Sequence, residues 1–222
     1  MKTIIALIFV TIASIMLWNI SYPFGVWRYR MTVSVDTPMG IRTGSAMREV
    51  SVKTGPDFMG GTSINVKGEA VMVGLGSRGT LFALMRSPKN ANYAYQVLFD
   101  TFKRQGGSAT PEGVRFFNNM KTSSMEEVQE LPVFVRFRDL KDPKTAELVD
   151  PRDFELSYGA GVKLIGVTID VTSKAMTSGI RKILPPFGDG TGFIEGPKTL
   201  TNGRQLPLNR SDFVRGMPGT QR

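Results

Sequence analysis

Between Lys2 and Arg28 the chain carries no charged side chain. The run TIIALIFVTIASIMLWNI is apolar except for Thr, Ser and Asn, which a helix in lipid tolerates by bonding to its own backbone. Counted from Thr3 to Tyr22, such a helix rises about 30 Å, the depth of a bilayer's hydrocarbon core. Beyond it the pattern switches to period two. In RYRMTVSVD, Tyr29, Met31, Val33 and Val35 alternate with Arg30, Thr32, Ser34 and Asp36, as in a half-buried strand. TPMG supplies a tight turn and IRTGSAMREVSVK reads as the returning strand, so residues 28–53 form a hairpin.

KTGPDFMGGTS is a loop by composition. INVKGEAVMVGL and GTLFALM then read as a second pair of strands. The period changes again in NANYAYQVLFDTFKRQGG, where Ala94, Leu98 and Phe102, flanked by Tyr95 and Phe99, make a helical stripe. Asn90 can cap its start, and Gly106 or Gly107 can end it. These aromatics read as core rather than as a ligand box. GSATPEGVRFFNNMKTSS reads as loop and SMEEVQEL as a short turn of helix. PVFVRFRDL and VKLIGVTIDVT are the late strands. From Leu184 onward, Gly, Pro and polar residues predict an irregular tail, wrapped on the domain or partly disordered.

The expected class is therefore α+β. A single N-terminal transmembrane helix precedes a mainly antiparallel β domain with one or two packed helices. The expected boundaries are an anchor over 1–27, a globular domain over 28–184 and the tail over 185–222. Trp18, Tyr22 and Trp27, followed by Arg28 and Arg30, are placed as an aromatic and basic membrane boundary. A cleaved signal peptide is the competing reading, but MLWNISYPFGVW offers no convincing small-residue cleavage site. Arg28 and Arg30 favour a cytoplasmic domain by the positive-inside tendency. A short N-terminus with one Lys before an apolar run is how exported proteins begin. The expectation is an inner-membrane protein with an exported, periplasmic domain.

Composition narrows the chemistry. The 222 residues include no Cys and no His, which removes disulfides, thiol nucleophiles, Cys/His zinc sites and imidazole proton transfer. The net charge of +9 is unevenly spread. Residues 1–105 carry 12 basic and 5 acidic side chains, a sum of +7, while residues 106–184 carry 11 of each. A basic half beside the anchor suits anionic head groups. No helix-turn-helix, RNP-like strand or dense basic tract points to nucleic acid.

VMVGLGSRGT contains G-x-G-x-x-G at Gly74, Gly76 and Gly79, after a strand-like run and with Asp100 about twenty residues on. A dinucleotide loop must open a helix, yet only eight residues separate Gly79 from Pro88 and they carry no helical stripe. A hairpin turn through Gly76–Gly79 is the expectation, and a nucleotide-dependent enzyme the alternative. The acids Asp139, Asp142, Glu147, Asp150, Asp153 and Glu155 could serve a carboxylate hydrolase or an oxygen-ligand metal site if they converged. They alternate with Arg136, Arg138, Lys141, Lys144 and Arg152, as an ion-paired surface would. No cofactor, metal or catalytic residue is expected. Arg136 and Arg138 are the candidate contacts for a partner, which would be an envelope protein or an anionic lipid surface.

Residues 131–180, LPVFVRFRDLKDPKTAELVDPRDFELSYGAGVKLIGVTIDVTSKAMTSGI, resemble a group of alphaproteobacterial membrane-anchored proteins of unknown function. The likeness extends to RYRMTVSVDTPMGIRTGSAMREVSV and GEAVMVGLGSRGTLFALM, and so over most of residues 28–180. It implies a membrane-associated protein and no particular activity. Non-enzymatic binding or scaffolding in the cell envelope, with lipid bilayer as one partner, is the expected function.

Overall fold

A computed structural model of the chain describes residues 2–142, 145–184, 198–199 and 205–216. Helix α1 (Lys2–Ser21) is apolar, uncharged from Ile4 to Ser21, and over that span none of it is buried among the described residues. Only Tyr22 and Pro23 separate it from β1 (Phe24–Asp36), so the domain starts four residues earlier than the alternation at Arg28 suggests. β1 pairs antiparallel with β2 (Arg42–Lys53) from Phe24↔Lys53 to Val35↔Arg42. Thr37 and Gly40 close the turn between them through a backbone bond of 2.8 Å, with Gly40 at φ 99°.

β3 (Ser63–Glu69) extends this sheet beside β2. The chain then bends at Gly68 and Ala70 and enters a second sheet as β4 (Val71–Gly74), which pairs with β5 (Thr80–Ala83). The single arm expected over residues 64–75 is thus two strands in two sheets. The buried Arg48 side chain presses on Gly68, where a Cβ would meet Arg48 Cγ at 2.7 Å.

Next come α2 (Tyr93–Phe102), α3 (Pro111–Asn119), β6 (Glu126–Glu127), β7 (Phe134–Phe137), β8 (Ala146–Val149), α4 (Phe154–Tyr158) and β9 (Lys163–Val171). The short pair β10 (Lys198–Thr199) and β11 (Gln205–Leu206) precedes α5 (Arg210–Phe213) and β12 (Val214–Arg215). The larger sheet runs β12-β3-β2-β1-β9-β6 and the second runs β4-β5-β7-β8, with every pairing antiparallel. The fold is α+β: an apolar N-terminal helix, then antiparallel sheets with a few helices.

The inner face of the large sheet is the alternating set Tyr29, Met31, Val33 and Val35, joined by Val50 and Val52. It packs on Val71, Val73, Leu81 and Ala83 of the second sheet and on Ala94, Leu98 and Phe102 of α2. The second sheet is covered on its other side as well. Phe82, Val135 and Phe137 meet Ile180, Leu208 and Phe213. Burial on both faces explains why LFALM reads as an unbroken apolar run.

Three expectations change. Residues 111–119 form a helix, not a loop, started by Thr110 as N-cap and Pro111 in the first turn, a pairing that suits both residues. SMEEVQEL holds no helix; Glu126 and Glu127 pair with Ile169 and Thr168 at the sheet edge. Parts of the tail are regular, since α5 and β12 dock on the domain and Val214 pairs with Glu69. Residues 185–197, 200–204 and 217–222 of that expectation lie outside the described residues.

Candidate functional site

Helix α1 meets the domain at one end of β1, and a groove of about 490 Å³ opens beside that end. Its floor and rim come from Val26, Trp27 and Arg28 of β1, Glu49 of β2, Met120 and Lys121 after α3, and Val171 to Ser173 at the end of β9. Several bonds fix this shape. Arg28 Nε donates to Glu49 Oε2 at 3.0 Å and the Thr172 amide donates to the Arg28 carbonyl at 2.9 Å. The Val171 amide donates to Ser123 Oγ at 2.9 Å. Glu49 also faces Lys67 Nζ at 3.8 Å. Lys121, exposed, is a cation without such a partner within the lining. An apolar floor under a cationic rim suits an amphipathic or anionic group. A second groove, of about 430 Å³, lies along α2 and is lined by Lys89, Lys103, Arg104, Asp100 and Glu130 among others.

The sequence-predicted boundary residues separate into two sets. Trp18 and Tyr22 lie in contact near the end of α1, their rings tilted by 52° with centroids 4.9 Å apart. Trp27, Arg28 and Arg30 are instead strand residues. Trp27 is buried on Phe117 and its Nε1 donates to Asn118 Oδ1 at 2.9 Å, so it packs as core rather than facing out as a girdle residue. Arg30 is held by Asp170 through two hydrogen bonds, 2.9 and 3.2 Å.

Arg136 and Arg138 converge on one carboxylate. Glu147 Oε2 accepts from Arg136 Nε at 2.8 Å, and Glu147 Oε1 is ion-paired with Arg138 Nε at 2.8 Å. Arg136 also lies over the Tyr158 ring, 5.8 Å from its centroid. That strand face is covered by α4, because Phe134 packs on Phe154. Only Arg138 is left widely exposed.

Gly74, Gly76 and Gly79 lie in the β4–β5 hairpin. The Leu75 amide donates to the Gly79 carbonyl at 2.8 Å and a single 3₁₀ turn, Gly76–Arg78, fills the corner. A Cβ at any of the three would meet nothing within 4 Å, and no helix begins there. Asp100 sits in α2, accepting from Gln96 Nε2 at 2.9 Å. The features a pyrophosphate cradle depends on, close backbone packing and a helix N-terminus, are absent from this turn.

The acids of residues 139–155 are dispersed into local roles. Asp153 caps α4 by accepting from the Leu156 amide, Glu155 accepts from the Gly161 amide, and Asp150 pairs with Arg152. Among the described residues no group of three or more Asp and Glu side chains converges as a metal would require.

Sequence reasoning passed over the most unusual feature of the interior. Arg48 is wholly buried at an inward position of β2, between Ala46 and Val50. Its Nε donates to the Glu69 carbonyl at 3.0 Å and its Nη1 to Tyr29 Oη at 3.3 Å. Tyr29 in turn donates to the Ala94 carbonyl at 2.5 Å. Arg48 Nη2 has no hydrogen-bond partner among the described residues. The Glu69 carboxylate faces elsewhere and accepts from the Gly179 and Ile180 amides at 3.0 and 2.9 Å. Burial pushes the phenols of Tyr29 and Tyr93 well above their ordinary value, against the opposing pull of Arg48. The network ties β2, β3, α2 and the segment before Leu184 together. Its legible signal was a lone Arg in the inward register of a clean alternation.

Compared with protein-family models, with curated proteins and with solved structures, the chain gives no match.

Proposed function

We propose that this chain is a membrane-anchored, non-enzymatic binding or scaffolding protein of a bacterial cell envelope, with its folded domain on the outer side of the inner membrane. One observation carries the reading. The 18 residues Ile4–Ser21 form a helix of mean hydropathy 2.2, none of it buried against the domain. An isolated helix so apolar has no stable place in water, where each buried-type side chain left exposed forfeits about 1.5–3 kcal/mol. A bilayer removes that cost.

Two further features support it. The link from helix to sheet is only Tyr22 and Pro23, so the domain stands directly at the end of the helix. Arg115 reaches back to donate to the Ile20 carbonyl, and Asn118 donates to the Phe24 carbonyl at 3.1 Å. The groove lined by Val26 and Lys121 is then close to the head groups, where an envelope component or an anionic lipid can enter it.

The binding role is tested by placing a photoreactive residue at Thr122, on the groove rim, and irradiating living cells. A discrete light-dependent adduct of protein or lipid is expected. Light-independent or wholly diffuse labelling would contradict a binding role for the groove.

A further inference from the structure

The loop over residues 54–62 connects β2 to β3 at the same end of the sheet from which the anchor leaves. Lys53 pairs with both Phe24 and Ser63. Thr54 is fastened to the anchor's base, its amide and its hydroxyl both donating to the Pro23 carbonyl, at 3.3 and 2.8 Å. At the tip of this loop Phe58 is 86% exposed and Met59 65% exposed. Phe24 and Val26, one and three residues past Pro23, are exposed too.

Single exposed apolar residues need no explanation, but an adjacent Phe and Met beside exposed Phe24 make a patch. The backbone that carries them is closed on itself. Met59 and Gly61 amides donate to the Pro56 carbonyl at 2.9 and 3.1 Å, and the Gly60 amide to the Asp57 carbonyl at 3.0 Å. Gly60 supplies the positive φ of 96° that this turn requires. A tip with these three amides paired internally strands fewer polar groups when it enters a medium of low polarity. Lys53 and Lys121 are exposed at this end, with Arg115 half-exposed; Asp57 and Glu112 are the acids among them.

We propose that Phe58 and Met59 insert into the head-group and acyl boundary of the bilayer that holds α1, fixing the domain against the membrane at a second point. This rests on the membrane reading of α1. The occupant follows from position: a helix joined to β1 by two residues keeps the bilayer surface at the level of Pro23, and Thr54 is bonded to Pro23. Interfacial apolar groups of this kind reach about 5–10 Å into the boundary.

The chain has no Cys, so single labels can be placed cleanly. Phe58→Cys, Met39→Cys and Ile12→Cys in the full chain would each carry an environment-sensitive fluorophore. The proteins are reconstituted into phosphatidylethanolamine–phosphatidylglycerol vesicles, with or without bromine, placed high on the acyl chains to report on positions 58 and 39 and near the chain ends to report on position 12. Met39 is as exposed and apolar as Phe58 but sits at the opposite end of β1, about 40 Å away by strand rise. The expected result is blue-shifted, bromine-quenched emission at position 58, quenching at 12, and neither change at 39. Quenching at 12 without quenching at 58 overturns the insertion while leaving the anchor reading intact. Equal quenching at 39 and 58 also overturns it, because the labels would then report general stickiness. Absence of quenching at 12 defeats the anchor reading, and the insertion with it.

Discussion

Gly44 sits against the backbone of the second sheet, and enlarging it tests that packing directly. It lies opposite Val33, near the turn end of the β1–β2 pair. A Cβ added there would be 1.8 Å from the Met72 carbonyl oxygen, 2.7 Å from its carbon and 3.0 Å from Val73 Cγ2. Ordinary carbon–oxygen contacts begin near about 3.3 Å, so β4 must retreat by roughly 1.5 Å in Gly44→Ala. The nearest obstacle is backbone, with no flexible side-chain end to swing away. Overpacking of this kind costs about 1–3 kcal/mol and sometimes more, and the backbone clash places Gly44→Ala near about 3 kcal/mol. For a domain of this size that is a fall in Tm of about 6–12 °C. Gly74→Ala is the control. Its Cβ would meet nothing within 4 Å and its φ is unremarkable, so it should change stability by about 0.5 kcal/mol or less. Both variants of the full chain would be unfolded in detergent micelles and followed by near-ultraviolet circular dichroism. A loss below about 1 kcal/mol for Gly44→Ala, or equal losses for the two variants, would refute the proposed sheet contact.

Thr110→Ala removes the N-cap of α3, whose hydroxyl accepts from the Gly113 amide; the loss should be about 1 kcal/mol, with Thr110→Ser recovering most of it in a urea titration. Alkaline pH should unfold the protein through its buried phenols. Tyr29 and Tyr93 are raised above 10.0 by burial, so their contribution is complete below about pH 10 and is lost as pH climbs through the folded values. The double variant Tyr29→Phe and Tyr93→Phe should be less stable at pH 8, having lost bonds to Arg48 and to the Ala94 and Glu130 carbonyls. Its Tm should nevertheless fall less steeply between about pH 10 and 11.5 than that of the parent.

Elements whose side chains face one environment per side were legible. The alternation of β1 predicted which of its residues would be buried, because one face meets a core and the other meets water. β3 and β4 were fused in the reading, and at the break between them Gly68 lies against Arg48, a contact from another strand. α3 was hidden by Gly113 and two Asn residues, although Thr110-Pro111-Glu112 carried a start signal. The acidic run around Glu126 favours a helix locally, yet the open edge of β9 captures it as a strand.

The site divided along the same line. The glycine pattern could be recognised as a turn, since the helix that a phosphate loop requires was already missing from the text. Trp27 was misjudged as a boundary residue because nothing in its neighbourhood announces Phe117 and Asn118, which come from α3. The groove beside the anchor draws on segments from β1, β2, the end of α3 and β9, so no local pattern could have revealed it.

The central claim, a domain held outside the inner membrane by α1, is tested most directly by C-terminal fusions to two reporters in a bacterial host. One is active only beyond the inner membrane and the other only in the cytoplasm. The account predicts activity of the outer reporter in the membrane fraction, lost when residues 2–21 are deleted. Activity of the cytoplasmic reporter alone, or a fully soluble fusion with α1 intact, would contradict it.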